Sequence, residues 1–158
     1  MAVNETPGRA DETPGRVVET PGRVVGLGGI FIKYQNPDRI RSWYGENLGI
    51  KIDEYGTSFE WRKSANPNSK GFTVWSPFSQ ASEYFHPSQK EVMINLRVDD
   101  LDALLQKLSR IGVQRVGAIE ETNYGRFAHI IDPEGFKIEL WEADDAAYDE
   151  MIGENRTF

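Results

Sequence analysis

Gly135-Phe136-Lys137-Ile138-Glu139 repeats the pattern of Gly71-Phe72-Thr73-Val74-Trp75, and the two stretches stand 64 residues apart. The same offset of 64 sets Ile30-Phe31-Ile32-Lys33 against Ile94-Asn95-Leu96-Arg97, Asp38 against Asp102, and Ile40 against Leu104. One offset held over that length means two half-domains of a single design. Paired units of this kind enclose a cleft, and such clefts take ligands.

Each half reads as a β-α-β-β-β unit, the first over about 28–76 and the second over about 91–142. In the first, Gly28 to Tyr34 alternates as a strand does. Asn36-Pro37 then offers an N-cap followed by proline at the first helical position. Ile40, Trp43, Tyr44 and Leu48 recur at helical spacing, and Gly49 is placed to end the helix. Strands are expected near 50–54, 58–63 and 71–76, with Asn66-Pro67-Asn68 turning the chain before the last. In the second unit, Val92 to Val98 is a strand and Asp99 the expected N-cap. Leu101, Leu104, Leu105, Leu108 and Ile111 form the apolar stripe of a helix that Gly112 ends. Strands near 113–117, 125–131 and 136–142 follow, with Asp132-Pro133-Glu134-Gly135 as a tight turn. The linking loop from Pro77 to Lys90 carries Phe78, Tyr84, Phe85 and His86, enough aromatic surface to pack on something. The expected fold class is α+β: two tandem βαβββ units forming a curved mixed sheet around a cleft, with the helices on its outer face.

The ends differ in character from this core. Glu-Thr-Pro-Gly-Arg occurs three times, at 5–9, 12–16 and 19–23. Proline and glycine oppose helix, and Pro-Gly suits the centre of a type II turn. Little apolar surface offsets the entropy of ordering, so residues 1–25 read as a disordered tail, either incidental or a docking element. Residues 26–143 read as the domain, and 144–158 as a C-terminal tail.

Composition narrows the function classes. The chain of 158 residues has no cysteine, which removes disulfides, thiolate metal sites and cysteine nucleophiles and suits a cytoplasmic location. The net charge of −7 opposes general nucleic-acid binding. No apolar run reaches membrane-spanning length, so no membrane partner is expected. Phosphate loops, dinucleotide fingerprints, zinc-helix motifs and nucleophile elbows are missing, and Gly26-Leu27-Gly28-Gly29 precedes a strand, the wrong context for phosphate.

The motifs Gly28-Gly29-Ile30-Phe31-Ile32-Lys33, Trp43-Tyr44 followed by Asn47-Leu48-Gly49-Ile50, Val98-Asp99-Asp100-Leu101-Asp102, and Asp132 through Glu142 resemble the vicinal oxygen chelate superfamily. That superfamily holds glyoxalases, bleomycin-resistance proteins and extradiol dioxygenases, and the resemblance covers nearly all of Gly26 to Glu142. One such fold hosts many activities. Metal-using members take one His, Glu or Gln from each of four strands. The resemblance assigns those positions to Gly29, Trp75, Met93 and Glu139, of which only Glu139 has a donor suited to a divalent ion. No metal is therefore expected unless non-standard ligands join Glu139, and without one the glyoxalase and dioxygenase mechanisms lose their electrophile.

Strand alternation carried outward from those positions places Phe31, Lys33, Thr73, Trp75, Met93, Asn95, Arg97, Lys137, Glu139 and Trp141 on the cleft face. Ile30, Ile32, Val74, Ile94, Leu96, Val98, Ile138 and Leu140 fall on the helix face. The expected ligand-binding set is Phe31, Lys33, Trp75, Met93, Asn95, Arg97, Tyr124 and Trp141, a surface suited to an aromatic or planar small molecule. Glu139 and His129 are the candidate acid–base groups, though Glu139 has an ordinary structural alternative as a partner of Arg97 or Lys33. His86 reads as a surface residue, and the parity of Glu60 and Trp61 is open. Two functions follow: a metal-free binding protein acting as a homodimer, whose resistance relatives take cationic ligands in keeping with the acidic balance, or a glyoxalase-like lyase, isomerase or dioxygenase using Glu139 and His129.

Overall fold

A computed structural model describes residues 21–158. The first two Glu-Thr-Pro-Gly-Arg copies, and with them most of the expected tail, lie outside the described residues. The elements run β1 (Val24–Tyr34), α1 (Pro37–Leu48), β2 (Thr57–Lys63), β3 (Asn66–Ser79), β4 (Val92–Val98), α2 (Leu101–Arg110), β5 (Arg115–Thr122), β6 (Gly125–Ile131), β7 (Lys137–Ala143) and α3 (Asp145–Ile152). All seven strands join one mixed sheet in the order β2-β3-β1-β4-β7-β6-β5. The two units meet where β1 pairs antiparallel with β4, so a single chain supplies both halves of the curved sheet.

Local chemistry sets the helices. Asn36 accepts from the Arg39 amide over 2.9 Å and Gly49 closes α1 in the left-handed region at φ 67°. α2 begins one residue later than expected, because Asp100 is the cap and accepts from the Ala103 amide. Asp99 instead accepts from the Gly22 and Arg23 amides at 2.8 and 2.9 Å, which anchors residues 21–23 beside α2. Residues 22–25, which the boundary at 26 assigned to the tail, are thus held against the domain. Leu101, Leu104, Leu105 and Leu108 pack on Val98, Ala128, Ile130 and Leu140. Ile111 lies past the end of the helix and is exposed.

The first unit departs from the design in two ways. No strand forms at 50–54. The edge of β2 where it would pair is taken by the C-terminus: Glu60 N–H donates to Thr157 O over 3.0 Å, and Thr157 N–H to Ser58 O over 2.9 Å. The second departure is register. β4 and β7 align Ile94 with Ile138 and Asn95 with Glu139. The equivalent pairing in the first unit would set Ile30 against Val74, but β1 and β3 align Ile30 with Trp75 and Gly29 with Val74. A slip of one residue sends every side chain of a strand to the other face.

The C-terminal segment 144–158, read as a tail, is folded against the sheet. Asp144 caps α3 through the Ala147 amide, and Tyr148 buries itself against Phe72 and Trp141. Acidic helix formers in 144–150 gave no apolar run to reveal it; the signal is Tyr148, Met151 and Ile152 on one helical face.

Candidate functional site

Three layers of side chains line the concave face of the sheet. At one end, Met93 and Lys137 lie under the linking loop. Phe85 is fully buried there with Phe31 and Met93, Lys33 Nζ sits 5.1 Å from the Phe85 ring, and Lys137 Nζ donates to the Tyr84 carbonyl over 2.6 Å. Burial holds the Lys137 ammonium below its ordinary pKa. At the other end, Arg97 and Trp141 lie under α3. Arg97 Nη2 donates to both Asp145 oxygens at 2.6 Å, and its guanidinium stands between the Trp61 and Trp141 rings at 5.3 and 5.0 Å. Between these two covers the middle layer opens onto a cleft of about 700 Å³.

The floor of that opening is Glu139, 3% exposed and accepting three side-chain hydrogen bonds. Asn95 Nδ2 donates to Oε1 over 2.7 Å, His129 Nε2 donates to Oε2 over 2.8 Å, and the Tyr84 hydroxyl also donates to Oε2. The register brings these together: Asn95 and His129 flank Glu139 on β4 and β6. Burial, and then the neighbouring carboxylate, push the Tyr84 phenol well above its ordinary pKa, so it stays a donor. Asn95 Oδ1 is buried without a partner among the described residues. It faces Gly28, where any Cβ would stand 2.0 Å from it, so this position must be glycine. The amide nitrogen is the part of the side chain that engages Glu139.

The walls are aromatic: Phe31 and Phe78 on one side, Phe127 and Trp141 on the other, the last two stacked at 5.5 Å. Asp53, Glu54 and Glu120 bring negative charge to the lining, and among the described residues no lysine or arginine contributes to it.

Of the candidate ligand-binding residues, Phe31, Asn95, Tyr124 and Trp141 line the cleft, as does Glu139. Lys33, Met93 and Arg97 have the expected parity but are covered, the first two by the loop and the third by α3. His129 lies behind Glu139, 4% exposed, and reaches the opening only through that carboxylate. Trp75 is a correction: the register slip turns it to the outer face, where it stacks on Tyr44 at 4.3 Å and Val74 takes its place in the lining. Tyr84 and α3 join the site without a sequence pattern that announces them. Tyr84 stood in a loop whose path no periodicity gives.

The donor set suits a divalent ion poorly. Oε2 of Glu139 already accepts from a phenol and an imidazole, and a histidine donating from Nε2 offers no lone pair there. No cluster of three His, Asp or Glu side chains fit for a metal occurs among the described residues.

The architecture is that of the vicinal oxygen chelate fold. The glyoxalase-like domain family matches residues 29–141, and the chain belongs to that family. Among solved structures, a methylmalonyl-CoA epimerase variant from Streptomyces coelicolor, in complex with 2-nitronate-propionyl-CoA, superposes with a TM-score of 0.57 at 14% identity, covering 77% of this chain and 99% of that one. Methylmalonyl-CoA epimerase from Mycobacterium tuberculosis gives a TM-score of 0.48 at 21% identity, covering 75% and 88%. At such identities the likeness concerns the fold alone. No curated protein matches the chain. Among the described residues, no helix is long and apolar enough to cross a membrane.

Proposed function

We propose that the chain is a small-molecule-binding member of its family that takes one aromatic or planar ligand over Glu139 and works without the usual metal. The observation that carries this is an aromatic cleft of about 700 Å³ closing on a carboxylate fixed by three donors. Aromatic walls favour a flat ring system, and a single polar centre fixes its orientation. With four carboxylates in the lining and no cation, the ligand is neutral or positively charged. A homodimer in the cytoplasm is part of the reading, although one chain already supplies both walls.

Calorimetric titration with 9-aminoacridine, a planar cation, tests it. Saturation at one probe per chain supports binding, and no heat at any accessible concentration contradicts it. Elemental analysis after exposure to zinc, nickel, iron and manganese tests the metal part: stoichiometric retention of any of them overturns it.

A second reading is acid–base catalysis of a glyoxalase-like lyase or isomerase. It is favoured by Oε1 of Glu139, which among the described residues has Asn95 as its one partner and keeps a lone pair for a substrate proton. Glu139→Gln would then remove turnover while binding survives, whereas in a binder it changes affinity alone.

A further inference from the structure

We infer that the C-terminal segment, α3 and the residues that follow it, is the specificity wall of the cleft and sets the size of planar ligand admitted; this rests on the binding function proposed above. The segment begins beyond residue 141, where the matched family domain ends. Yet Tyr148, Met151, Ile152 and Asn155 all line the cleft. The first three stand at i, i+3 and i+4, so one face of α3 is turned to the ligand space.

A wall can discriminate shape only if it holds still, and this one is fixed at both ends. At its start, Asp145 bonds Arg97 as above and accepts from Lys63 Nζ over 2.7 Å. Mid-helix, the Tyr148 hydroxyl lies 2.7 Å from Ser58 Oγ, and its ring packs at 5.1 Å on both Phe72 and Trp141. At its end, buried Arg156 donates to Glu60 over 2.7 Å and to Asp149, which also accepts from Lys70. Thr157 then joins the backbone of β2.

Tyr148 is the deep part of the wall and closes the Arg97 end. Met151 forms the outer part and remains 49% exposed; Tyr55, in the same lining, is 70% exposed. A ligand covering such side chains gains their apolar burial. Asp145 has a second consequence. By engaging Arg97 it holds that guanidinium under α3 and outside the cleft lining, in keeping with a preference for neutral or cationic ligands.

The test uses the full chain with two cationic probes that differ in width: 9-aminoacridine, with three fused rings, and 4-aminoquinoline, with two. Met151→Trp narrows the opening at a half-exposed position where the fold tolerates bulk. Leu48→Trp, on the exposed outer side of α1, is the control for bulk elsewhere. The expected result is that Met151→Trp weakens 9-aminoacridine binding about tenfold or more and 4-aminoquinoline less than about twofold, as a shape filter requires. Leu48→Trp changes neither, and the melting temperature of Met151→Trp matches that of the unaltered protein. Equal changes for both probes, or none for either, overturn the inference while leaving binding intact. Failure of both probes on the unaltered protein instead overturns the binding function, and the inference with it.

Discussion

β7 ends its Gly-Phe-Lys-Ile-Glu run with Glu139 inside the cleft, held by three donors. β3 ends the equivalent Gly-Phe-Thr-Val-Trp run with Trp75 on the opposite face, stacked on a helix. The two strands share a pattern and differ by one residue of register. The difference follows from what each outer face needs. α2 brings four leucines to cover β4 and β7. α1 has no buried residue, and Trp43 and Leu48 remain more than half exposed. Trp75 is the large side chain that gives α1 something to pack on through Tyr44. The second unit, already well covered, can place its polar residue inward. A repeated sequence thus divides its labour: each unit supplies an aromatic wall, and the second also supplies the carboxylate of the floor.

The largest expected effect tests the outward assignment of Trp75. Trp75→Ala should destabilise the protein by about 3–5 kcal/mol, the cost of a large core truncation, while its affinity for 9-aminoacridine stays within about twofold. Chemical denaturation and calorimetry on the same sample check both halves. Val74→Glu, one position earlier, should do the opposite: it puts a fifth carboxylate beside the ligand and alters affinity most.

Next is the latch that closes the second unit's end. Asp145→Asn leaves Arg97 buried without its counter-charge, and loss of about 3 kcal/mol is expected. A melting temperature within a degree of the parent's would mean that α3 is not anchored there.

Glu139→Gln retains shape but removes charge and one acceptor. Probe affinity should fall about tenfold, the scale of a lost charge-assisted contact, with a smaller change in stability.

The smallest effect is a pH dependence. The Tyr84 phenol has its pKa raised above the ordinary 10.0 by burial and then by Glu139. The folded state therefore keeps this proton where the unfolded chain has lost it. Its contribution to stability is complete below about pH 10 and declines as pH rises above that value. Tyr84→Phe should lower stability by about 1 kcal/mol at pH 7 and flatten the alkaline decline. Urea unfolding at pH 8 and pH 11 shows whether it does.

Much of this was legible in the residues. The offset of 64, the helix signals at Asn36-Pro37 and Gly49, and the alternation of β1, β4 and β7 gave the α+β architecture and the inward set from Phe31 to Trp141. Those strands follow local pattern, and local pattern is visible. The β3 slip was not, because register is set by pairing and by what the opposite face must cover. Nor was the covering of Lys33, Met93 and Arg97, which depends on where a loop and a terminal helix come to rest. Tyr84 and His129 join Glu139 from 55 and 10 residues away. Only the folded sheet makes them neighbours.

The most direct test of this division is a parallel titration of the unaltered protein, Glu139→Gln and Trp75→Ala with 9-aminoacridine under one buffer condition. One site per chain is expected, weakened about tenfold by the first substitution and within about twofold of the parent in the second. Equal weakening by both, or weakening by Trp75→Ala alone, would contradict the placement of the polar floor in the second unit and of Trp75 outside the cleft.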